Sequence, residues 1–201
     1  MNTRRADMVL SEAILPMTGA ALRAKQAILV VAGIALLAVA AKIKLPIPPS
    51  PVAIGMGTFA VLAIAAAYGP RLGLTTILVY MIVGALGFDV FQSSSAELNG
   101  WTYMQGSTGG YLVGFVLATL ALGWAARRGW DRSVWRMALA MVIGNLLIYV
   151  PGLLWLGQLY GWDQPILAWG LTPFLVGDAM KLALAALLLP AAWKLVGDAR
   201  A

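Results

Sequence analysis

Six long apolar stretches divide the chain, at about residues 26–43, 52–68, 71–87, 109–126, 134–157 and 172–196, each followed by a shorter segment richer in charge, proline or glycine. At 1.5 Å of rise per residue, a helix of about 17–25 residues matches a hydrocarbon core roughly 30 Å thick. The runs are continuous rather than alternating, which predicts membrane-crossing helices and not the strands of a barrel. Only Tyr68-Gly69-Pro70-Arg71 separates the second run from the third. Proline cannot continue a helix and glycine frees the backbone, so a tight turn is expected there. The predicted fold class is an all-α integral membrane protein, a six-transmembrane-helix bundle. Residues 1–25 form a basic N-terminal segment, 26–196 the transmembrane domain and 197–201 a tail.

Composition points the same way. Of 201 residues, 61% are apolar and only 11% charged, and the mean hydropathy is +0.85. So few charges cannot cover a water-facing surface, so the lipid bilayer must solvate much of it. The chain has no cysteine and no histidine. That removes disulfides, thiolate and imidazole metal ligands, and the usual general base near neutral pH. No metal site and no cofactor is expected, and no phosphate-binding loop is present that would let the chain hydrolyse ATP itself.

The net charge of +6 is explained by orientation and calls for no nucleic acid partner. Arg4, Arg5, Arg23, Lys25, Arg71, Arg127, Arg128, Arg132, Arg136, Lys194 and Arg200 fall on one side of the six crossings. Lys42 and Lys44 alone fall on the other, and Lys181 lies within a span. By the positive-inside rule both termini are cytoplasmic. The first apolar run exceeds a signal-peptide core and lacks a small-residue cleavage site, so it is expected to be retained. The outer loops are the elaborate ones, above all residues 88–108, and loops of that length are often functional.

Within the spans, Asp178 and Lys181 stand three residues apart on one helical face. A charge costs several kcal/mol in the membrane interior, so such residues normally face the bundle and mark a ligand or ion pathway. A mutually neutralising structural pair is the alternative. Gly106-Ser107-Thr108-Gly109-Gly110-Tyr111 opens the fourth span. Its glycines either expose backbone amides to a ligand oxygen or let neighbouring helices pack closely. Asn99, Trp101 and Tyr103 precede it. In the fifth span Asn145 and Tyr149 share a face, and Pro151 is expected to kink the helix. Tyr149 and Trp155 offer flat walls with a polar edge.

Several of these segments together resemble a known family. Thr108-Gly109-Gly110-Tyr111-Leu112 with Gly114-Phe115, Ile148-Tyr149 with Gly152 and Trp155-Leu156, and Pro173-Phe174 with Gly177-Asp178 and Lys181 are similar to the biotin-specific substrate-binding (S) components of energy-coupling factor (ECF) transporters, the BioY family. Thr58-Phe59, Gly69-Pro70-Arg71 and Tyr80 with Gly84, Gly87 and Phe91 fit the same pattern, so the likeness covers about residues 40–190. Gly57, Asp89 and Ser107 depart from it. The resemblance implies a non-enzymatic subunit in the bacterial inner membrane that captures biotin on the outer face. It implies a transmembrane coupling (T) subunit and ATP-binding (A) subunits as partners. The implied ligand contacts are Asp178, Lys181, Tyr149, Thr108, Gly109, Gly110, Tyr111 and Asn99, with Asp178 accepting from the ureido N–H groups and Lys181 donating to an oxygen. On the first helix, where the family's coupling face carries small residues, the row here is Ala32, Ala35 and Ala38. Three other readings stay open: the same scaffold with another small vitamin, a membrane enzyme or assembly subunit using Asp178 and Lys181 as a proton relay, or a structural anchor subunit.

Overall fold

The computed structural model describes residues 8–14, 16–46 and 48–198. Arg4, Arg5 and Arg200 lie outside them. Among the described residues, five helices are long and apolar enough to cross a membrane. In chain order the helices are α1 (Leu10–Ile14), α2 (Gly19–Lys42), α3 (Gly57–Ala85), α4 (Gly100–Met104), α5 (Gly109–Arg127), α6 (Val134–Tyr160), α7 (Ile166–Gly170) and α8 (Leu175–Asp198). Strands β1 (Lys44–Leu45) and β2 (Ile54–Gly55) form an antiparallel pair with Lys44 opposite Gly55 and Leu45 opposite Ile54.

α3 contains two apolar runs, and its interior is interrupted where the sequence predicts a turn. Gly69 has φ 76° and ψ −179°, a backbone region open essentially to glycine alone. Beyond it Gly73 lies against Ala65: a Cβ on Gly73 stands 3.5 Å from the Ala65 Cα. Eight residues along one straight helix are about 12 Å apart, so the halves of α3 lie side by side. Its two ends accordingly meet the same neighbour. The Met56 amide donates to the Ile43 carbonyl, and Lys42 Nζ reaches Asp89 at 2.6 Å.

Two expected boundaries move. The first helix begins at Gly19, because Arg23 and Lys25 extend it past the apolar run. Residues 52–56 lie outside α3, since this segment folds back on β1 after the prolines. α6 remains helical through Pro151.

Close helix contacts follow the small residues. A Cβ on Gly114 stands 2.6 Å from the Ile148 backbone, and one on Gly110 stands 2.3 Å from the Pro151 carbonyl, so α5 and α6 touch nearly backbone to backbone. In lipid, where no hydrophobic drive separates helix from solvent, such approach is what holds spans together.

The ends of the bundle differ. At one, Val9 packs on Gly69 and Arg127 grips Glu12 with two hydrogen bonds of 3.0 and 2.5 Å. There too, Arg132 lies 4.2 Å over the Trp193 ring. The opposite end carries Lys42, the strand pair and the long connections holding α4 and α7.

Candidate ligand-binding site

A chamber opens under the connections at the Lys42 end. Its empty space, including the open mouth, is about 670 Å³. The walls are largely apolar and aromatic. Leu37 and Ala41 come from α2, Tyr80 from α3, Leu112 and Phe115 from α5, and Phe174 from the turn before α8.

The polar groups arrive from the first turn of α3, the first two turns of α8 and the middle of α6. Lys181, in the second turn of α8, is 8% exposed and Asp178 6%. Lys181 Nζ donates to Asp178 Oδ1 at 3.0 Å and to Thr58 Oγ1 at 3.1 Å. An ammonium has three N–H donors, so one remains for another acceptor. The Tyr149 hydroxyl donates to Asp178 Oδ2. Lys181 and Tyr149 line the chamber, whereas Asp178 stands behind them, holding both. A carboxylate so engaged compensates the buried ammonium and fixes two wall residues in place.

The start of α5 divides its residues between wall and support. Thr108 and Tyr111 line the chamber. The Tyr111 hydroxyl donates to the Gly170 carbonyl at 2.9 Å. Thr108 Oγ1 is buried beside the Tyr103 side chain. Gly109 and Gly110 are buried against Trp155 and Pro151 and stay out of the wall. Trp155 itself donates from Nε1 to the Gly106 carbonyl at 2.8 Å. Asn99 also stays out: its amide nitrogen bonds the carbonyls of Ser95 and Ala96, shaping the loop before α4.

Residues that the sequence reading left out of the site complete the enclosure. Phe91 is stacked on Tyr103 at 4.9 Å and meets Tyr80 edge-on at 5.4 Å. Its neighbour Gln92 lines the chamber and donates to the Ala53 carbonyl. Lys42 fastens this loop by donating to Asp89 at 2.6 Å and to the Phe91 carbonyl at 2.9 Å. The Lys42 hydrogen bond, and after it that from Ser94, holds the exposed Asp89 carboxyl below its ordinary value. The connection between α2 and α3 is tied on two further sides. Ser50 Oγ donates to the Trp169 carbonyl at 2.7 Å and Ser107 Oγ to the Pro51 carbonyl at 3.2 Å. Gln92 carries no signal by itself, since one glutamine in a polar loop looks like any other.

The chamber offers flat apolar walls, a compensated cation with a spare donor, and a buried threonine hydroxyl. No group of three or more Asp or Glu side chains able to hold a metal is found among the described residues.

Comparison with known proteins follows the same lines. A family model described as the BioY family matches residues 12–198. The chain is 35% identical over 167 residues to a probable biotin transporter of Pyrococcus horikoshii, covering 83% of this chain and 95% of that one. It is 32% identical over 162 residues to a biotin transporter of Thermotoga maritima, covering 80% and 92%. Among solved structures, the S-component for biotin from an ECF-type ABC transporter superposes with a TM-score of 0.73. That match covers 89% of this chain and 95% of the other, at 16% identity, and it speaks to the fold.

Proposed function

The chain belongs to the BioY family, and on that premise we propose that it is the biotin-binding subunit of a vitamin uptake transporter. It takes biotin from the outer face and hands it on with an ATP-driven module of T and A subunits. The bundle crosses the bacterial inner membrane six times, the two halves of α3 counting separately, with both termini cytoplasmic. Residues 26–196 form the binding domain, 1–25 a basic cytoplasmic segment and 197–201 a cytoplasmic tail.

The observation that carries this reading is the Lys181 ammonium in the chamber wall, buried, compensated by Asp178 and left with one donor free. Biotin is a flat ureido bicycle with a carboxylate tail. The aromatic walls suit the ring system, and Lys181 donates to a ligand oxygen. Thr108 and Gln92 are polar partners for the ureido group, and Tyr111 and Tyr149 supply flat surface. Asp178 acts by holding Lys181 and Tyr149. Gly109, Gly110 and Asn99 act through the shape of the wall.

The test is biotin binding by the purified protein, followed by calorimetry and thermal shift. Saturating biotin is expected to raise the melting temperature, as any ligand of the native state must. Lys181→Ala is expected to weaken binding about 10–100-fold, the worth of one charge-assisted hydrogen bond. That variant leaves Asp178 buried without its counter-ion, at a stability cost of about 3–5 kcal/mol. The neutral double variant Asp178→Asn with Lys181→Met avoids this cost and should show the same loss. No thermal shift in the unaltered protein, or unchanged affinity in both variants, would falsify the assignment.

A further inference from the structure

A second opening, with about 1000 Å³ of empty space including its open mouth, lies on the flank of the bundle beside the chamber. Ile43 and Lys44 border it after α2, Ile54 and Met56 around β2, and Met180 and Leu184 on α8. Met180 is 70% and Leu184 43% exposed on the outside of α8, so in a bilayer this face meets acyl chains. Gly55 and Lys181 belong to the walls of both spaces. One glycine and one ammonium-bearing side chain therefore stand between the chamber and the membrane-side groove.

The geometry points to the groove as a lateral outlet for the ligand's tail: the protein also binds biotin derivatives whose carboxyl is condensed with a short alkylamine. This rests on the biotin reading above. Lys181 is the one cation in the described chamber wall, and the oxygen-bearing end of the tail lies against it. Its charge is already balanced by Asp178 at 3.0 Å, so an uncharged amide leaves no buried charge unpaired. The amide oxygen accepts the spare N–H as a carboxylate oxygen does. Beyond Lys181 the side chains are those of Ile43, Ile54, Met56, Met180 and Leu184, with the exposed Lys44 at the rim donating to Ser93 Oγ at 3.3 Å. Apart from that rim cation they offer a charged end nothing, whereas an alkyl chain lying there leaves water for apolar contact. The other occupant of such a groove is a lipid acyl chain, and the experiment separates the two.

Displacement of labelled biotin by biotin and by N-butyl biotinamide is measured on the full chain in nanodiscs. The amide is expected to bind within about thirtyfold of biotin, a difference of about 2 kcal/mol. Leu184→Trp fills the groove away from the chamber. It should change biotin affinity less than about twofold and weaken the amide at least about fivefold more than biotin. Met180→Trp gives the same reading if Leu184→Trp does not fold. An amide weaker than that limit in the unaltered protein overturns the proposal. So does an indole in the groove that leaves the two ligands equally affected, because the groove then holds lipid alone. Absence of biotin binding by the unaltered protein removes the chamber reading itself, a separate result.

Discussion

Single residues show how far charge alone can be read. Asp178 and Lys181 stand out in any hydropathy profile, because nothing else charged interrupts the apolar run around them. Their division of labour does not stand out, since it depends on Thr58 and Tyr149 arriving from other helices. Asp131 is the reverse case. Between Arg128 and Arg132 it reads as a solvated loop charge, yet it is fully buried in the turn between α5 and α6. The Trp193 indole donates to its Oδ2 at 2.5 Å, while its Oδ1 has no partner. Burial pushes the carboxyl up to about 6, opposed by the Trp193 hydrogen bond and the Arg132 charge. The folded state thus holds this proton more tightly than the unfolded chain, in which Asp titrates near 4. The group favours folding most below pH of about 4 and loses that contribution as pH rises through about 6. The difference is on the order of 3 kcal/mol. Asp131→Asn keeps an acceptor for Trp193 and carries no charge. It is expected to melt several degrees higher than the unaltered protein at pH 7.5, with the gap closing toward pH 4. A gap that does not vary with pH contradicts this account.

At the scale of elements, the apolar runs locate the helices and the punctuation between them locates the turns. Gly69-Pro70 marks the reversal inside α3. The chain accepts it because glycine alone adopts the required backbone there and Gly123 lets that turn approach α5, a Cβ at 123 standing 2.5 Å from the Pro70 nitrogen. The small-residue rows split into two kinds. Gly110 and Gly114 are consumed by packing on α6. On α2, Gly33 faces Tyr68 and Thr76, while Ala32 and Ala35 remain exposed and Ala38 half-buried. An exposed small-residue face on the least buried of the long helices suits a partner helix in the membrane, and the proposed coupling subunit is expected to dock there. Ala35→Leu should abolish co-purification with the T and A subunits and leave biotin affinity within about twofold, since the exposed Ala35 does not line the chamber. Unchanged co-purification excludes that face.

The whole molecule sorts its charges by end. Arg71, Arg127, Arg128, Arg132, Arg136 and Lys194 gather where Val9 and Glu12 pack, and Lys42 and Lys44 sit at the chamber end. The absence of native cysteine makes the orientation testable with single cysteines. In intact cells a membrane-impermeant maleimide should label Ser95→Cys, in the outer loop, and reach Arg128→Cys only after permeabilisation. The opposite pattern inverts the topology. Membrane residence, the positions of the spans and the sidedness of charge lie in the sequence, because each is set by the local free energy of moving a segment from water to lipid. The buried pair on α8 is legible for the same reason. Which side chains share the chamber is decided only in three dimensions. Gln92, Thr58 and Phe91 enter because Lys42, Ser50 and Ser107 tie distant connections together, and Gly109 and Gly110 leave it because α6 comes within contact of their backbones. Contacts such as Lys181 with Thr58, 123 residues away, and Tyr111 with Gly170, 59 away, have no local energetic signature, and they help close the wall of this site.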